Sequence, residues 1–356
     1  MYPTIHTGII GFGMAGKVFH APFINTLPGF RLSKISTSRE QTAREARALY
    51  PDTAIVSDAR SILEDETIDL VIICTPNAEH LPLAQAALLQ GKHVIVEKPF
   101  TVTSAEADAL ATLARQQQRV LTVHHNRRWV ADYKTVKKVI AGRLLGNLAT
   151  YEARYDRFRP FLRPEAWREE QVPGAGILYD LGAHLIDQAL QLFGLPQEIT
   201  AEVLIQRPGG KVDDYFDLTL HYPDLRASLH AGMLVKKPGP NFSLHGDRGS
   251  YIKSGMDVQE EALKAGKTLA NTPDWGLEPE SLWGHLYTEY EGLQITGTIQ
   301  SERGSFQDFF INVQQAIRGE VALMVTAEQA RDTIRIIELA LQSNREKRTV
   351  AYSRAD

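Results

Sequence analysis

The sequence predicts two domains of different classes: an α/β domain with a doubly wound parallel sheet, followed by an α+β domain with a large, mostly antiparallel open sheet. In the first third of the chain, short apolar runs alternate with amphipathic stretches, which is typical of βαβ units. The second part contains successive segments of period-2 alternation, mostly without helices between them, as expected of antiparallel strands. A length of 356 residues also fits about two domains. We place the boundary after Asn126, which gives domains 1–126 and 127–356.

The elements of the first domain are predicted from its apolar runs and its helix-forming composition. The strands are expected at His6–Ile10, Phe30–Ile35, Ile68–Cys74, His93–Val96 and Val120–Val123. One helix is expected after the first strand, up to Pro28–Gly29, and others at Gln41–Leu49, His80–Leu89 and Ser104–Gln117. Ser104 is the predicted N-cap of the last of these helices.

The second domain is predicted to mix long helices with strands in runs. The helices are expected at Tyr133–Ala141, Tyr179–Phe193 and Ala327–Gln342, the last with its cap signal at Thr326. The strands are expected at Ala149–Phe158, Ile199–Gln206, Phe216–Tyr222, Arg226–Met233 and Asn241–His245. The stretch Gln259–Gly297 is interrupted by Gly and Pro and gives no clear pattern.

Composition excludes several classes of function. The chain has 39 Lys and Arg against 43 Asp and Glu, a formal net charge of −4, without a basic stripe or tail. We therefore expect neither a nucleic-acid nor a membrane partner. No apolar run approaches the ~20 residues of a spanning helix, and the first residues do not resemble a signal peptide. Cys74 is the single cysteine, so no intrachain disulfide is expected, and we expect a cytoplasmic protein.

A glycine-rich turn follows the first predicted strand and opens a helix. It reads Gly11-Phe12-Gly13-Met14-Ala-Gly16, which is the GxGxxG fingerprint in the context that the motif requires. Gly11 allows the tight turn, Gly13 lets the backbone approach a pyrophosphate, and Gly16 lets helix and strand pack closely. The turn predicts a Rossmann domain that binds a dinucleotide at the N-terminus of a helix. The alternative is a glycine-rich turn in an unrelated α/β domain.

The end of the second predicted strand indicates which dinucleotide is bound. An acidic residue at this position would bind the ribose hydroxyls of NAD. The sequence has Ser36, Thr37, Ser38 and Arg39, which can donate to a 2′-phosphate, so NADP(H) is favoured over NAD(H). The alternative is a solvated turn, with Glu40 as the residue that binds the ribose.

Two further positions carry candidate chemistry. Lys98 lies in Glu97-Lys98-Pro99, after a strand whose carboxyl end should face the nicotinamide side of a Rossmann crevice. Asp180 and His184 are spaced i, i+4 on one helix, with Asp187 one turn further. Oxidation of an alcohol by hydride transfer needs a base for the hydroxyl proton, and a histidine beside a carboxylate suits that role. The alternatives are a surface lysine and a structural Asp–His hydrogen bond.

These motifs together resemble the Gfo/Idh/MocA family of oxidoreductases over nearly the whole chain: the GxGxxG turn, Thr75-Pro76-Asn77 followed by His80, Glu97-Lys98-Pro99, and the helix with Asp180 and His184. The resemblance implies that Lys98, Asp180 and His184 bind the reacting hydroxyl and exchange its proton. It also implies that Thr75, Pro76, Asn77 and His80 lie along the cofactor, with Glu97 near the nicotinamide ribose.

Further segments resemble the branch of NADP-dependent scyllo-inositol dehydrogenases; they are His125–Trp129, Tyr155–Pro160, Trp167–Glu169 and Tyr179–His184. This resemblance implies that Trp167 and Arg168 lie beside the cofactor, and we add Asn126 to the cofactor set. Tyr155 and Arg157 alternate with Tyr151 on one strand face and are candidate polyol contacts; solvent-facing or interface positions are the alternative. The branch also implies a homodimer or homotetramer formed through the outer face of the second sheet.

The sequence thus leads to one main hypothesis. The protein is expected to use NADP(H) to interconvert a secondary alcohol and a ketone on a cyclitol or sugar, with scyllo-inositol and scyllo-inosose as the best candidates. One alternative is an NADPH-dependent reductase of an aldose, anhydro-ketose or dicarbonyl, and another is a non-catalytic regulator that senses NADP. No metal is expected, because the histidines lack the spacing of metal ligands and a nicotinamide cofactor itself carries the hydride chemistry.

Overall fold

The computed structural model of the protein describes residues 3–163 and 166–353. Clustering of contacts divides the chain into two compact units. The first unit comprises Met1–Asn126, Gln259–Trp275 and Ser305–Arg331, and the second comprises Arg127–Val258, Gly276–Gly304 and Asp332–Asp356. Among the described residues, no helix combines the length and the apolar character that crossing a bilayer requires.

The first unit is built on a parallel sheet of six strands: β1 (Ile5–Ile10), β2 (Phe30–Ser36), β3 (Ala54–Val56), β4 (Leu70–Ile73), β5 (His93–Val96) and β6 (Leu121–Val123). Their order is β3-β2-β1-β4-β5-β6, and every neighbouring pair is parallel. The order therefore reverses between β1 and β4, and ligands of such sheets bind outside the carboxyl ends of the strands at this switch point. The predicted doubly wound parallel sheet is confirmed.

Helices follow most of these strands. A turn of π-helix (Ala15–His20) leads into α1 (Ala21–Thr26), and the next helices are α2 (Glu40–Leu49), α3 (Arg60–Leu63), α4 (His80–Leu89) and α5 (Ser104–Gln116). The N-cap of α5 is Thr103, so the expectation of Ser104 was wrong. Thr103 forms a capping box: its hydroxyl accepts from the backbone N–H of Glu106, whose carboxylate accepts from the N–H of Thr103.

The second unit contains a nine-stranded sheet in the order β14-β13-β12-β11-β7-β10-β9-β8-β15. Its strands are β7 (Leu148–Arg154), β8 (Glu198–Leu204), β9 (Tyr215–His221), β10 (Arg226–Gly232), β11 (Phe242–Gly246), β12 (Gly249–Lys253), β13 (Gly284–Tyr290), β14 (Leu293–Ile299) and β15 (Val350–Ala351). Only β7 and β10 pair in parallel among the strands described; the other pairs are antiparallel. The predicted mostly antiparallel sheet is confirmed.

The remaining helices are α6 (Ala131–Ala141), α7 (Ala183–Phe193), α8 (Gln259–Lys264), α9 (Gln307–Ile317) and α10 (Ala327–Glu346), with shorter 3₁₀ turns at Asn77–Glu79, Asn126–Trp129, Trp167–Glu169, Leu269–Asn271 and Glu280–Leu282. A turn of π-helix, Leu178–Gly182, precedes α7 in place of the regular helix that the sequence predicts from Tyr179. Such turns are rare and occur mostly at functional sites.

Two segments from the predicted range 127–356 pack within the first unit. The physical reason is an aromatic cluster: Phe310 of α9 stacks on Phe23 with ring centroids 5.1 Å apart, and Trp275 meets the edge of Phe23 at 6.2 Å. The side-chain oxygen of Gln259 accepts from both the indole N–H of Trp275 and the backbone N–H of Phe306. The segments Gln259–Trp275 and Ser305–Arg331 thereby complete the core of the first unit.

Candidate functional site

The glycine-rich turn follows β1 at the switch point. Gly11 has φ +93°, and a Cβ there would lie 2.7 Å from the carbonyl oxygen of Cys74. A Cβ at Gly16 would lie 2.3 Å from the carbonyl oxygen of Gly11. Both contacts are too short for any side chain, so the fold itself requires glycine at these two positions.

Gly13 differs from its two neighbours in the motif. A Cβ at this position would meet no described heavy atom within 4 Å, so packing does not require glycine there. The remaining physical reason is close approach of a ligand to the backbone, as the pyrophosphate of a dinucleotide needs. The Phe12 ring is buried with its edge against Tyr50, whereas the Met14 side chain is 61% exposed. The buried ring of Phe12 is therefore not available to a cofactor, whereas its main chain is.

The segment after β2 presents hydroxyls and a guanidinium. Ser36 is buried, and its carbonyl oxygen accepts from the N–H of Gly11, whereas Ser38 and Arg39 are exposed and Thr37 is half-buried. Glu40 is the first residue of α2, and its carboxylate lies 3.6 Å from Arg44 and 3.5 Å from Arg47. The Glu40 carboxylate, which is the alternative ligand of a ribose, therefore already pairs with two arginines of its own helix.

His80 connects the loop after β4 to the loop after β5. Its ring is fully buried, with Nε2 3.1 Å from the carbonyl oxygen of Thr75 and Nδ1 3.0 Å from that of Pro99. Burial lowers the pKa of His80, and a neutral imidazole has one N–H, so it donates to one loop at a time. Pro76 beside it is exposed and Asn77 is buried. His80 therefore acts on the shape of these loops through their backbone.

Glu97, at the end of β5, lies between two buried histidines. Its Oε1 is 2.6 Å from Nε2 of His20 and 2.8 Å from Nδ1 of His124. Burial alone would raise the pKa of Glu97, but the charge of His124 and the hydrogen bonds from both rings hold it well below its ordinary value. Burial is the largest of the effects that lower the pKa of His20 to about 4, and the charge of His124 is the second. We call His20, Glu97 and His124 the buried triad.

Sequence reasoning missed the buried triad, because Glu97 is 77 residues from His20 and 27 from His124. A usable signal was present: Glu97 and His124 each follow one of two neighbouring strands, whose carboxyl ends meet at one edge. The three donor atoms lie within 4.8 Å of one another, as a metal site would require, although no metal was expected.

Lys98 follows Glu97 directly, at the same edge of the sheet. Its backbone N–H donates to Oε2 of Glu97 at 3.1 Å, and the peptide bond to Pro99 is cis. The side chain is half-buried. Asn126 is buried at the start of the 3₁₀ turn after β6. The first unit thus places Gly13, Thr75 and Lys98 after β1, β4 and β5, at one edge of its sheet.

In the second unit, the carboxylate of Asp213 fixes the start of the π-helical turn that carries Asp180 and leads into α7, which carries His184. Oδ2 of Asp213 accepts from the N–H of Leu178 at 2.7 Å, and its backbone oxygen accepts from Ile177. Gly176 has φ +90°, and any Cβ there would clash with the Asp213 carboxylate. Burial raises the pKa of Asp213 to about 6.

Asp180 lies within the π-helical turn Leu178–Gly182 and contacts Arg168. Nε of Arg168 is 3.5 Å from Oδ1 of Asp180, and the Arg168 guanidinium lies over the Trp167 ring, 4.5 Å from its centroid. His184 is buried in the first turn of α7. The family resemblance implies that Trp167 and Arg168 lie beside the cofactor and that Asp180 binds the substrate. In the structure, Arg168 contacts the Asp180 carboxylate and stacks on Trp167.

Two other side chains near α7 are engaged within the core. Asp187 accepts from Arg128 at 2.8 and 2.6 Å, and both residues are buried, so this carboxylate serves an ion pair. Tyr155 is 3% exposed, and its hydroxyl lies 3.4 Å from Oε1 of Gln188. Arg157, two residues further, is half-buried.

The doubly wound sheet and its glycine turn at the switch point define a dinucleotide-binding α/β protein with a second, α+β unit. A family model described as an oxidoreductase family with an NAD-binding Rossmann fold matches residues 5–125, and one described as the C-terminal alpha/beta domain of an oxidoreductase family matches residues 137–352. The chain belongs to the Gfo/Idh/MocA family of oxidoreductases.

Relatives match nearly the whole chain. The scyllo-inositol 2-dehydrogenase (NADP(+)) IolW of Bacillus subtilis (strain 168) is 41% identical over 347 residues, which cover 98% of this chain and 96% of the relative. YdgJ of Escherichia coli (strain K12), described as an uncharacterized oxidoreductase, is 42% identical over 99% of this chain and 100% of its own. The solved structure of the oxidoreductase yvaA from Bacillus subtilis is 41% identical and superposes with a TM-score of 0.94 over 99% of each chain.

Proposed function

We propose that this oxidoreductase uses NADP(H) to interconvert a secondary alcohol and a ketone on a cyclitol or sugar, with scyllo-inositol and scyllo-inosose as the preferred pair. The observation that carries the cofactor is Gly13, where the fold leaves a backbone that a dinucleotide can approach. The substrate is inferred by resemblance to the Bacillus subtilis relative, which is named a scyllo-inositol 2-dehydrogenase (NADP(+)).

The chain's own residues supply the proton chemistry in this proposal. When bound, the nicotinamide exchanges a hydride with the carbinol carbon. Lys98 donates a hydrogen bond to the substrate oxygen, Asp180 orients the hydroxyl, and His184 takes the hydroxyl proton during oxidation or returns it during reduction. Electrons and protons balance, because the alcohol loses one hydride and one proton. Burial of His184 reduces competition from water for its ring.

A substrate panel tests the proposed reaction. Scyllo-inositol, myo-inositol, glucose, xylose and their keto forms are each followed at the NADPH absorbance, with NADP(H) and with NAD(H). We expect strong NADP-linked turnover of scyllo-inositol and little with NAD. Turnover of an aldose or a dicarbonyl alone would replace the cyclitol by the alternative substrate class. Tight NADPH binding without turnover of any panel member would favour a regulator that senses the cofactor.

The preference for NADP gives a prediction at Arg39. Replacing Arg39 by alanine removes a charged donor to the 2′-phosphate, so we expect the KM for NADP to rise about tenfold or more while the KM for NAD changes little. Steady-state kinetics with both cofactors measure the effect. Arg44→Ala is the matched control, because Arg44 lies on α2, the helix that Arg39 precedes, and pairs with Glu40. Equal changes with both cofactors would contradict the prediction, and a wild-type preference for NAD would favour Glu40 as the ribose ligand.

We also propose that the protein forms a homodimer or homotetramer through the open sheet of the second unit. Support comes from β13 and β14, where four large side chains remain exposed: Leu293 is 67%, Tyr290 59%, Tyr287 49% and Ile295 44% exposed. Apolar surface of this kind is typical of contact sites. Light scattering after size-exclusion chromatography should give a mass of two or four chains, and Leu293→Lys should lower it. A monomer at micromolar concentration would refute the proposal.

A further inference from the structure

We propose that His20 and His124 are positioning residues of the reaction: together they hold the Glu97 carboxylate in place, and Glu97 in turn fixes the backbone of Lys98. The proposal rests on the proposed function, because it assigns Lys98 a role there. Its evidence is independent of that role and consists of the contacts within the buried triad.

Three nitrogens surround the Glu97 carboxyl group. Oε1 faces Nε2 of His20 and Nδ1 of His124, and Oε2 accepts from the backbone N–H of Lys98. A carboxylate only accepts hydrogen bonds, so each ring donates to an ionised Glu97 through the nitrogen that faces it. The arrangement therefore suits the carboxylate anion.

Aromatic side chains surround the two histidine rings. His20 and His124 contact each other with centroids 4.2 Å apart, and His124 meets the edge of Phe309 at 4.9 Å. Phe310 packs 5.7 Å from both imidazoles. Nδ1 of His20 and Nε2 of His124 are buried and have no hydrogen-bond partner among the residues described. Among the residues described, the hydrogen bonds of the two rings lead to Glu97, which suits a holding role for both histidines.

Other titratable groups also face Glu97. Cys74, after β4, and His80, on α4, both interact with its charge. Burial, with the charge of Glu97, raises the pKa of the Cys74 thiol, and burial lowers that of His80. Both groups are therefore neutral near pH 7. The hydrogen bonds from His20 and His124, with that from the backbone of Lys98, stabilise the buried carboxylate as an anion.

A metal ion explains the triad less well. The N···O separations of 2.6 and 2.8 Å are hydrogen-bond lengths. Ligands of a tetrahedral zinc ion would lie about 3.3 Å apart, given metal–ligand distances of about 2.0–2.1 Å. The triad would have to open before it could hold an ion.

The experiment uses matched pairs of variants. His20→Gln keeps a donor where Nε2 lies and His124→Asn keeps one where Nδ1 lies, whereas leucine at either position removes the donor. With the substrate that the wild type turns over, we expect the Gln and Asn variants to keep kcat within about threefold and each Leu variant to lose about tenfold. The Kd for NADPH should stay within about threefold in all of them, because the effect acts through Lys98.

The pH profile separates positioning from a general loss of structure. In the double variant H20L/H124L, burial remains and both histidine donors are gone, while the Lys98 N–H stays, so we expect the pKa of Glu97 to rise above its ordinary value. Glu97 is then protonated at low pH and ionises as the pH rises. We expect the ratio of variant to wild-type kcat to be lowest near pH 6 and to increase toward pH 9. Glu97→Gln carries no such charge, so its loss should be the same at every pH.

Nuclear magnetic resonance of the histidine nitrogens tests the triad even if no substrate is found, so its failure is distinguishable from failure of the proposed function. We expect His20 to stay neutral with its proton on Nε2 from pH 5 to 9, and His124 to carry a proton on Nδ1, the nitrogen that faces Glu97. Amide exchange at Lys98 should be faster in H20L/H124L than in the wild type. The proposal would be overturned by a deprotonated Nδ1 on His124, by wild-type kcat in the Leu variants over this range, or by a stoichiometric metal ion that H20L loses.

Discussion

Replacing Lys98 or His184 by alanine should lower kcat by about 10² or more, the usual scale of acid–base catalysis. Lys98 is placed for this role by the carboxyl end of β5 and by the hydrogen bond from its backbone to Glu97. His184 lies in the first turn of α7, directly after the π-helical turn whose start is fixed by the carboxylate of Asp213. Steady-state kinetics measure kcat, and titration of NADPH fluorescence measures cofactor binding.

Matched controls make this result specific. Lys267→Ala and His245→Ala change the same residue types at exposed positions, and we expect both to keep wild-type kcat. The two catalytic variants should still bind NADPH, because neither change touches the glycine turn. A Lys98 or His184 variant that combines wild-type turnover with normal cofactor binding would remove that residue from the mechanism.

Replacing Asp187 by alanine should destabilise the protein by about 3–5 kcal/mol, because it removes the carboxylate that accepts two hydrogen bonds from the buried Arg128 guanidinium. Arg128 donates twice to Asp187, at 2.8 and 2.6 Å, and the side chains are 6% and 2% exposed. Urea denaturation monitored by circular dichroism measures the free energy of unfolding. The expected loss is in the free energy of unfolding. The kcat of the fraction that remains folded should therefore stay close to that of the wild type.

The double variant Arg128→Met/Asp187→Leu is the informative comparison. Replacing both members of the pair by apolar side chains of similar size removes the two charges together, so it should cost much less than Asp187→Ala alone. If the single change costs under about 1 kcal/mol, within the range of exposed ion pairs, the pair contributes as little as a surface salt bridge. Equal losses in the single and double variants would show that packing, and not the remaining charge, sets the cost.

Much of the first unit could be predicted from sequence, because its signals are local. Helix His80–Leu89 and strand His93–Val96 have the predicted bounds, since one is closed by a glycine turn and the other is a continuous apolar run. The strand β14 was missed although its apolar and polar residues alternate, because most of it lies in the stretch 259–297, which Gly and Pro interrupt. The N-cap of α5 was misplaced by one residue, since Thr103 and Ser104 are both good caps and only the return bond from Glu106 decides.

The candidate site was predictable only where its residues are close in sequence. Gly11, Gly13 and Gly16 form a motif, and their different reasons for being glycine become visible only from the contacts around each one. The contact between Arg168 and Asp180 joins a 3₁₀ turn to a π-helical turn, which no sequence period indicates. The roles of Lys98, Asp180 and His184 stay predictions until the variants are measured.

The late segments of the first unit have a consequence for synthesis of the protein on the ribosome. Phe310 and Trp275 cover Phe23, yet they are made long after Asn126. The chain must lengthen by roughly 200 residues before Arg331 is added, which takes about 10–40 s at typical elongation rates. During that interval Phe23 of α1 lacks the aromatic cover that Phe310 and Trp275 provide in the folded protein. We therefore expect residues 1–126 expressed alone to aggregate.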